Sequence, residues 1–272
     1  MAIGGLLEDS ELSIDAVSGA ENLQTALSSG SHDIVIAPIN LGAKLYGSGK
    51  SQYKVAAVIT MNNAYIVTKA SNELETVNDL IDKEIMAFGK AGVPGGLLKK
   101  LYTINAELSL DLIGENWYES SVDVYGLFKK DTVAEYALMS EPEISKLKIN
   151  DQINVKTLDV CQLLNIDIAP QACIFVNPNS KNLNKISDVL AKIKTNIEFL
   201  NENPEEYANK ILPLHQIFRD MGKEVIVSSI PLTSISYKKA YDVKEEIVGI
   251  YTILYPFDSN VAALEEDFYF EK

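Results

Sequence analysis

Three observations predict an α/β protein whose doubly wound, parallel-rich sheets form two lobes. Short apolar strands alternate with short helices through most of the chain. Twice such a strand runs into a Pro/Gly-marked turn and then directly into a helix, at residues 33–46 and 84–101. At 272 residues the chain also exceeds the usual size of a single core. A strand–turn–helix junction leaves unpaired N–H groups at the helix start, beyond the strand's carboxyl end, where open α/β sheets receive ligands. Two junctions in different parts of the chain point to a site built between two lobes.

The elements follow in order. A helix over residues 2–8, a strand from Leu12 to Val17, a helix from Ala20 to Ser28, a strand from Asp33 to Ala37 and a helix from Leu41 to Tyr46 come first. Strand-like runs at 53–60 and 64–68 are separated by the polar turn Met61-Asn62-Asn63. Thr76-Val-Asn-Asp has the form of a capping box and opens a helix to Asp82. A second βα series has strands at 84–88, 108–112, 135–139 and 153–158, with helices at 95–101, 121–128 and from Pro142. Ala172 to Val176 is again a strand. Ile186, Val189, Leu190, Ile193, Ile197 and Leu200 recur at spacings of three and four, marking one helix face. Asn203-Pro204-Glu205-Glu206 supplies an N-cap, an N1 proline and an acidic first turn for the next helix. Residues 237–255 include a last helix.

Composition narrows the function. The net charge of −14, from 24 basic and 38 acidic residues, repels a phosphate backbone, so nucleic acid is not the expected partner. Apolar runs are strand-sized, far from the ~18–20 residues of a membrane span. Neither Cys161 nor Cys173 has zinc spacing or a nearby histidine; they are either buried thiols or a disulfide pair. His32 and His215 lack any partner motif for nucleophilic or metal chemistry. No cofactor or metal is expected. The opening Met1-Ala-Ile-Gly-Gly-Leu-Leu reads as a helix under way without a basic n-region, so the chain is cytoplasmic or begins downstream of an export signal.

Candidate site residues carry two readings each. Pro38 and Asn40 follow the first junction strand, where Asn40 contacts ligand or caps the helix starting at Leu41. Met61, Asn62 and Asn63 form a hairpin turn or line a cleft. Gly89, Lys90, Ala91, Gly92 and Val93 are the strongest candidate: they lack P-loop spacing, but offer close backbone approach and a helix N-terminus. An ordinary tight turn is the alternative. Glu141 accepts from a ligand or occupies the N-cap region before Pro142. Trp117 is a packing residue or an aromatic platform, and Gln171 is a further candidate.

Several segments together carry a family resemblance. They are a strand followed by Pro-Ile-Asn-Leu-Gly-Ala-Lys-Leu-Tyr at 34–46, the strands at 57–68, Leu-Glu-Thr-Val-Asn-Asp-Leu-Ile-Asp-Lys-Glu-Ile at 74–85, Phe-Gly-Lys-Ala-Gly-Val-Pro at 88–94, Ala-Leu-Met-Ser-Glu-Pro at 137–142, and 253–270. Their order resembles the type II periplasmic binding fold of ABC-transporter substrate-binding proteins, in the branch of nitrate, sulfonate, taurine and thiamine-precursor receptors. The resemblance implies lobe one at 1–70 plus 171–272 and lobe two at 71–170, each a doubly wound mixed sheet with flanking helices. It also implies a small solute trapped between the lobes by hinge closure, with an ABC permease and ATPase as partners. The family starts with a β-strand and a leader that this chain lacks. A truncated start implies an extracytoplasmic protein held by a lipid anchor upstream; a cytoplasmic relative is the alternative.

Arg219 is the only arginine, whereas sulfonate receptors want a guanidinium. An anion has to rely on Lys44, Lys90 and helix N-termini, so a nitrogen heterocycle such as a thiamine or pyrimidine precursor is favoured. A biosynthetic enzyme on the same fold, of the pyrimidine-precursor or menaquinone-pathway type, is the runner-up.

Overall fold

The computed structural model describes residues 1–17, 19–256 and 266–271. Part of the C-terminal segment that carries the resemblance, residues 257–265, therefore lies outside the described residues. Along the chain come α1 (Ala20–Ser29), β1 (Ile34–Pro38), α2 (Ile39–Gly47), β2 (Lys54–Met61), β3 (Tyr65–Lys69), β4 (Ile85–Phe88) and α3 (Val93–Ile104). Next are β5 (Trp117–Tyr118), α4 (Ser121–Phe128), β6 (Tyr136–Met139), α5 (Glu143–Ile149), β7 (Val155–Asp159), α6 (Val160–Leu163) and β8 (Pro170–Val176). The chain continues with α7 (Ile186–Glu202), α8 (Pro204–Ile211), α9 (Gln216–Met221), α10 (Lys223–Ser229), β9 (Ile235–Lys239) and α11 (Lys244–Leu254). None of these helices is long and apolar enough to cross a membrane.

The chain divides into two compact units. Unit 1 is Met1–Met61, Pro170–Lys223 and Ser234–Lys272; unit 2 is Asn62–Ala169 and Glu224–Thr233. The divide expected at 70/71 falls at 61/62 instead, because β3 pairs with β6 and β7 in the second sheet. Residues 224–233 also belong to unit 2, where the Tyr65 hydroxyl donates to the Leu232 carbonyl at 2.7 Å.

Unit 1 holds the sheet β1-β8-β2-β9, and its three strand pairs are all antiparallel. β1 and β2 nonetheless run the same way, because β8 lies between them antiparallel to both. β1-α2-β2 is thus a crossover unit with a return strand inserted into it. Gly42 lets α2 sit on the sheet: a methyl there would collide with the Phe175 ring, which packs 6.2 Å from Phe268.

Unit 2 holds the mixed sheet β5-β4-β6-β3-β7. β4 is parallel to β5 and β6, while β3 is antiparallel to β6 and β7. The series β4, β5, β6, β7 therefore runs in one direction, with β3 as the inserted antiparallel member. Its core includes Val67, Met86, Val124, Phe128, Ala137, Met139, Ile144 and Leu147. Burial of each large apolar side chain is worth roughly 1.5–3 kcal/mol.

The α/β class holds, and the strands run in mixed directions beside flanking helices, as the resemblance implies. Sequence alternation alone reads the crossover strands as parallel-rich and misses the antiparallel strand inserted among them, β8 in unit 1 and β3 in unit 2. Three local expectations also fail. Residues 12–17 form no strand, since their alternation finds no neighbour to pair with. Residues 2–8 contain only a 3₁₀ turn at Gly4–Leu6. The strand expected at 108–112 is a 3₁₀ turn at Leu110–Leu112, where Ser109 caps by accepting from the Asp111 N–H. The strand lies further on, at β5.

Candidate functional site

In unit 2 the chain leaves β4 for β5 on one side and returns to β6 on the other. The loops after β4 and β6 therefore part at the carboxyl ends of these strands, the position at which open α/β sheets accept ligands. The first loop is Gly89-Lys90-Ala91-Gly92. Gly89 has φ +67°, a left-handed conformation, and its carbonyl accepts from the Gly92 N–H at 2.7 Å. Gly92 is the N-cap of the twelve-residue α3, with no side-chain cap. Gly95, in the first turn of α3, packs so tightly that a methyl would collide with the Gly89 carbonyl. The loop is further held by Lys99, whose Nζ donates to the Lys90 carbonyl at 2.7 Å and sits 5.2 Å over the Trp117 ring.

The second loop, Ser140-Glu141-Pro142, is clamped from several directions. The Ser140 N–H donates to Ser121 Oγ at 2.9 Å. The Glu141 N–H donates to Asn63 Oδ1 at 2.7 Å, and Asn63 Nδ2 donates back to the Glu141 carbonyl at 3.0 Å. Glu141 is only 4% exposed, and its Oε2 accepts from the Ser145 N–H at 3.0 Å. Burial pushes its carboxyl above the usual range, outweighing those hydrogen bonds, and burial does the same to Glu143. The Glu141 carboxylate thus engages the first turn of α5, whose N-cap is Pro142.

Asn62, at φ 51°, is equally engaged. Its Nδ2 donates to the Asp167 carbonyl at 2.7 Å and its Oδ1 accepts from the Ala169 N–H at 2.6 Å. Of the unit 2 candidates, Asn63 and Glu141 come together directly, and Trp117 connects with Gly89–Val93 through Lys99. Sequence reasoning missed Lys99, because a lysine on an amphipathic helix carries no sign of what its ammonium reaches.

Unit 1 contributes Pro38, Asn40, Met61 and Gln171 to the expected set. The helix starts at Ile39 with Pro38 as N-cap, so Asn40 lies inside the first turn and is not the cap. Met61 is buried, and its N–H donates to the Ser234 carbonyl at 3.3 Å. Gln171 lies in β8 next to Ala172, which pairs with Pro38; its Nε2 is buried without a hydrogen-bond partner. A cavity of about 290 Å³ elsewhere in unit 1 is lined by Lys244, Glu245, Val248, Glu266 and Tyr269, none of them an expected site residue.

Neither cysteine is bonded, and both are buried. Burial pushes the Cys161 thiol up to about 12 and the Cys173 thiol higher still, which keeps both protonated and inert. Among the described residues no cluster of three or more His, Cys, Asp or Glu is arranged to hold a metal ion. His32 bridges Ser31 Oγ at 2.8 Å and Asp15 Oδ2 at 3.1 Å, but the His32 and Asp15 side chains are 38% and 68% exposed. A Ser–His–Asp line so open to water lacks the desolvated geometry of a nucleophilic site. His215 caps α9, its Nδ1 accepting from the Ile217 N–H.

No protein-family model matches the chain, and no curated protein matches it in sequence. Solved structures do share its fold. An ABC transporter from Parabacteroides distasonis has a TM-score of 0.79 at 17% identity, covering 100% of this chain and 94% of that one. The periplasmic aliphatic sulphonate binding protein SsuA from Escherichia coli gives 0.75 at 17% identity, over 95% of this chain and 84% of that one. The ligand-binding component of an ABC-type import system from Staphylococcus aureus, solved with zinc bound, gives 0.69 at 15% identity, over 98% and 90%. The likeness establishes a periplasmic-binding-protein fold for this chain.

Proposed function

We propose that this chain is the solute-binding component of an ABC-type import system, capturing a small organic solute and passing it unchanged to a permease and its ATPase. The observation that carries this reading is the reversal of strand order at β4, which opens a ligand position between the Gly89–Gly92 loop and the Ser140–Pro142 loop. The fold shared with import-system binding proteins supports it. An extracytoplasmic location goes with this reading.

The chemistry at the strand ends bears on the solute class. A cationic heterocycle needed the Glu141 carboxylate, which is turned to Ser145. What unit 2 offers instead is rich in donors: the α3 N-terminus, which has no side-chain cap, and the exposed Lys90. A solute carrying a negatively charged or strongly accepting group fits these best. Hydrogen bonds from backbone and ammonium donors replace the missing guanidinium.

Calorimetric titration with methanesulfonate, taurine, nitrate, thiamine and an aminopyrimidine tests the proposal. The expected result is saturable 1:1 binding of an acceptor-bearing solute, recovered intact by mass spectrometry. Chemical conversion of the bound solute would establish the enzyme reading instead, and silence across the panel would remove the acceptor-solute assignment.

A further inference from the structure

Lys99 lies in the second turn of α3, outside every residue set expected from the sequence. Its ammonium joins separate pieces of unit 2 through a 2.7 Å hydrogen bond to the Lys90 carbonyl and a position 5.2 Å over the Trp117 ring. The first is a charge-assisted bond to the backbone of the loop itself, not to a neighbouring side chain. The second places the same charge against the face of the only tryptophan in the chain.

The consequence for the loop follows from peptide geometry. The Lys90–Ala91 peptide is trans, so its C=O and N–H point in opposite directions across one plane. Fixing the Lys90 carbonyl on Lys99 therefore fixes the direction of the Ala91 N–H and the tilt of the plane. Other supports of the loop are Gly89 N–H to the Tyr118 carbonyl at 3.1 Å, Gly92 N–H to the Gly89 carbonyl, and the close packing of Gly95. Those act at the two ends of the loop, and the Lys99 bond acts on the Lys90 carbonyl between them.

We propose that Lys99 is the positioning residue of the solute loop, setting the Lys90–Ala91 peptide plane from α3 and coupling the state of that loop to Trp117. The assignment of the loop to a solute rests on the function proposed above; the pinning of the loop does not. Trp117 is then a reporter of the loop, with one ring face covered by the ammonium, in place of an open aromatic platform.

Amide hydrogen exchange on the solute-free protein tests the pinning, with Lys99→Met and Lys99→Arg variants. Methionine keeps much of the apolar stem and removes the donor; arginine keeps charge and donor. The expected result is about tenfold faster exchange confined to residues 89–92 in Lys99→Met, with β6 unchanged and protection restored in Lys99→Arg. Unchanged exchange at 89–92 would overturn the proposal, as would loss of protection throughout unit 2, which means that Lys99 merely supports the fold. Titration of wild type with methanesulfonate while following Trp117 emission separates the two readings. Emission that never responds, alongside loop-specific exchange in the variant, leaves Lys99 as a positioning residue and removes the solute assignment.

Discussion

The Asn63 side-chain amide and the Glu141 backbone form a two-point clasp, with Oδ1 accepting from the Glu141 N–H at 2.7 Å and Nδ2 donating to its carbonyl at 3.0 Å. The amide does for residue 141 what a neighbouring strand does within a sheet: it satisfies both main-chain groups at once. Both residues are buried, so no solvent stands in if the clasp is lost. Asn63→Ala is therefore expected to lower stability by about 2–4 kcal/mol, since it strands a buried donor and a buried acceptor. Urea denaturation measures this. Asn63→Asp should do little better, because it cannot donate and brings a negative charge towards Glu141.

The pH dependence of Glu141 has a defined sign. Its carboxyl is raised by burial in the folded state, so the folded protein holds that proton more tightly than the unfolded chain. The stability it contributes is fully present below the unfolded value and is lost as pH rises through the folded one. Glu141→Gln keeps an acceptor for the Ser145 N–H and removes that loss. The variant should be more stable than wild type at pH 7, with the difference fading towards about pH 4. Denaturant melts at the two pH values check it. Asp79 behaves oppositely: it is lowered by accepting from the Glu75 and Thr76 N–H groups, so its contribution is lost as pH falls.

Gly95→Ala should disturb the solute loop directly. The added methyl meets the Gly89 carbonyl and crowds the Lys90 Cα, both backbone and unable to rotate away. Overpacking of this kind costs about 1–3 kcal/mol. Gly126→Ala in α4 is the control: nothing lies within 4 Å of the added methyl, and the helix gains about 0.5–1 kcal/mol. Thermal melts of the two variants should move in opposite directions.

Asn62 combines a left-handed backbone with a side chain bonded to Asp167 and Ala169. Asn62→Gly should lose the side-chain bonds alone, whereas Asn62→Ala adds a backbone penalty of about 1–2 kcal/mol. Comparing the two by chemical denaturation separates the terms.

Much of unit 2 was legible because its βα series is local. The capping box at Thr76, the helix at Ser121 and the strand–loop–helix run through Gly89–Gly92 are each encoded within a few residues. The same locality found both candidate loops. It assigned Glu141 both a ligand role and a capping role, and only the fold places its Oε2 against the Ser145 N–H. Asn62 and Asn63 read as a turn for the same reason: their partners lie far along the chain, at 167–169 and 141.

The amino-acid order by itself determined the α/β class, most helix starts and the two junctions, since periodicity, capping and glycine placement act over one or two turns of chain. Tertiary structure alone decided that β8 and β3 insert between crossover strands, that residues 224–233 join unit 2, and that Lys99 reaches the Lys90 carbonyl. Those outcomes depend on which distant groups meet, and a hydrogen bond between remote residues leaves no periodic trace in either of the segments it joins.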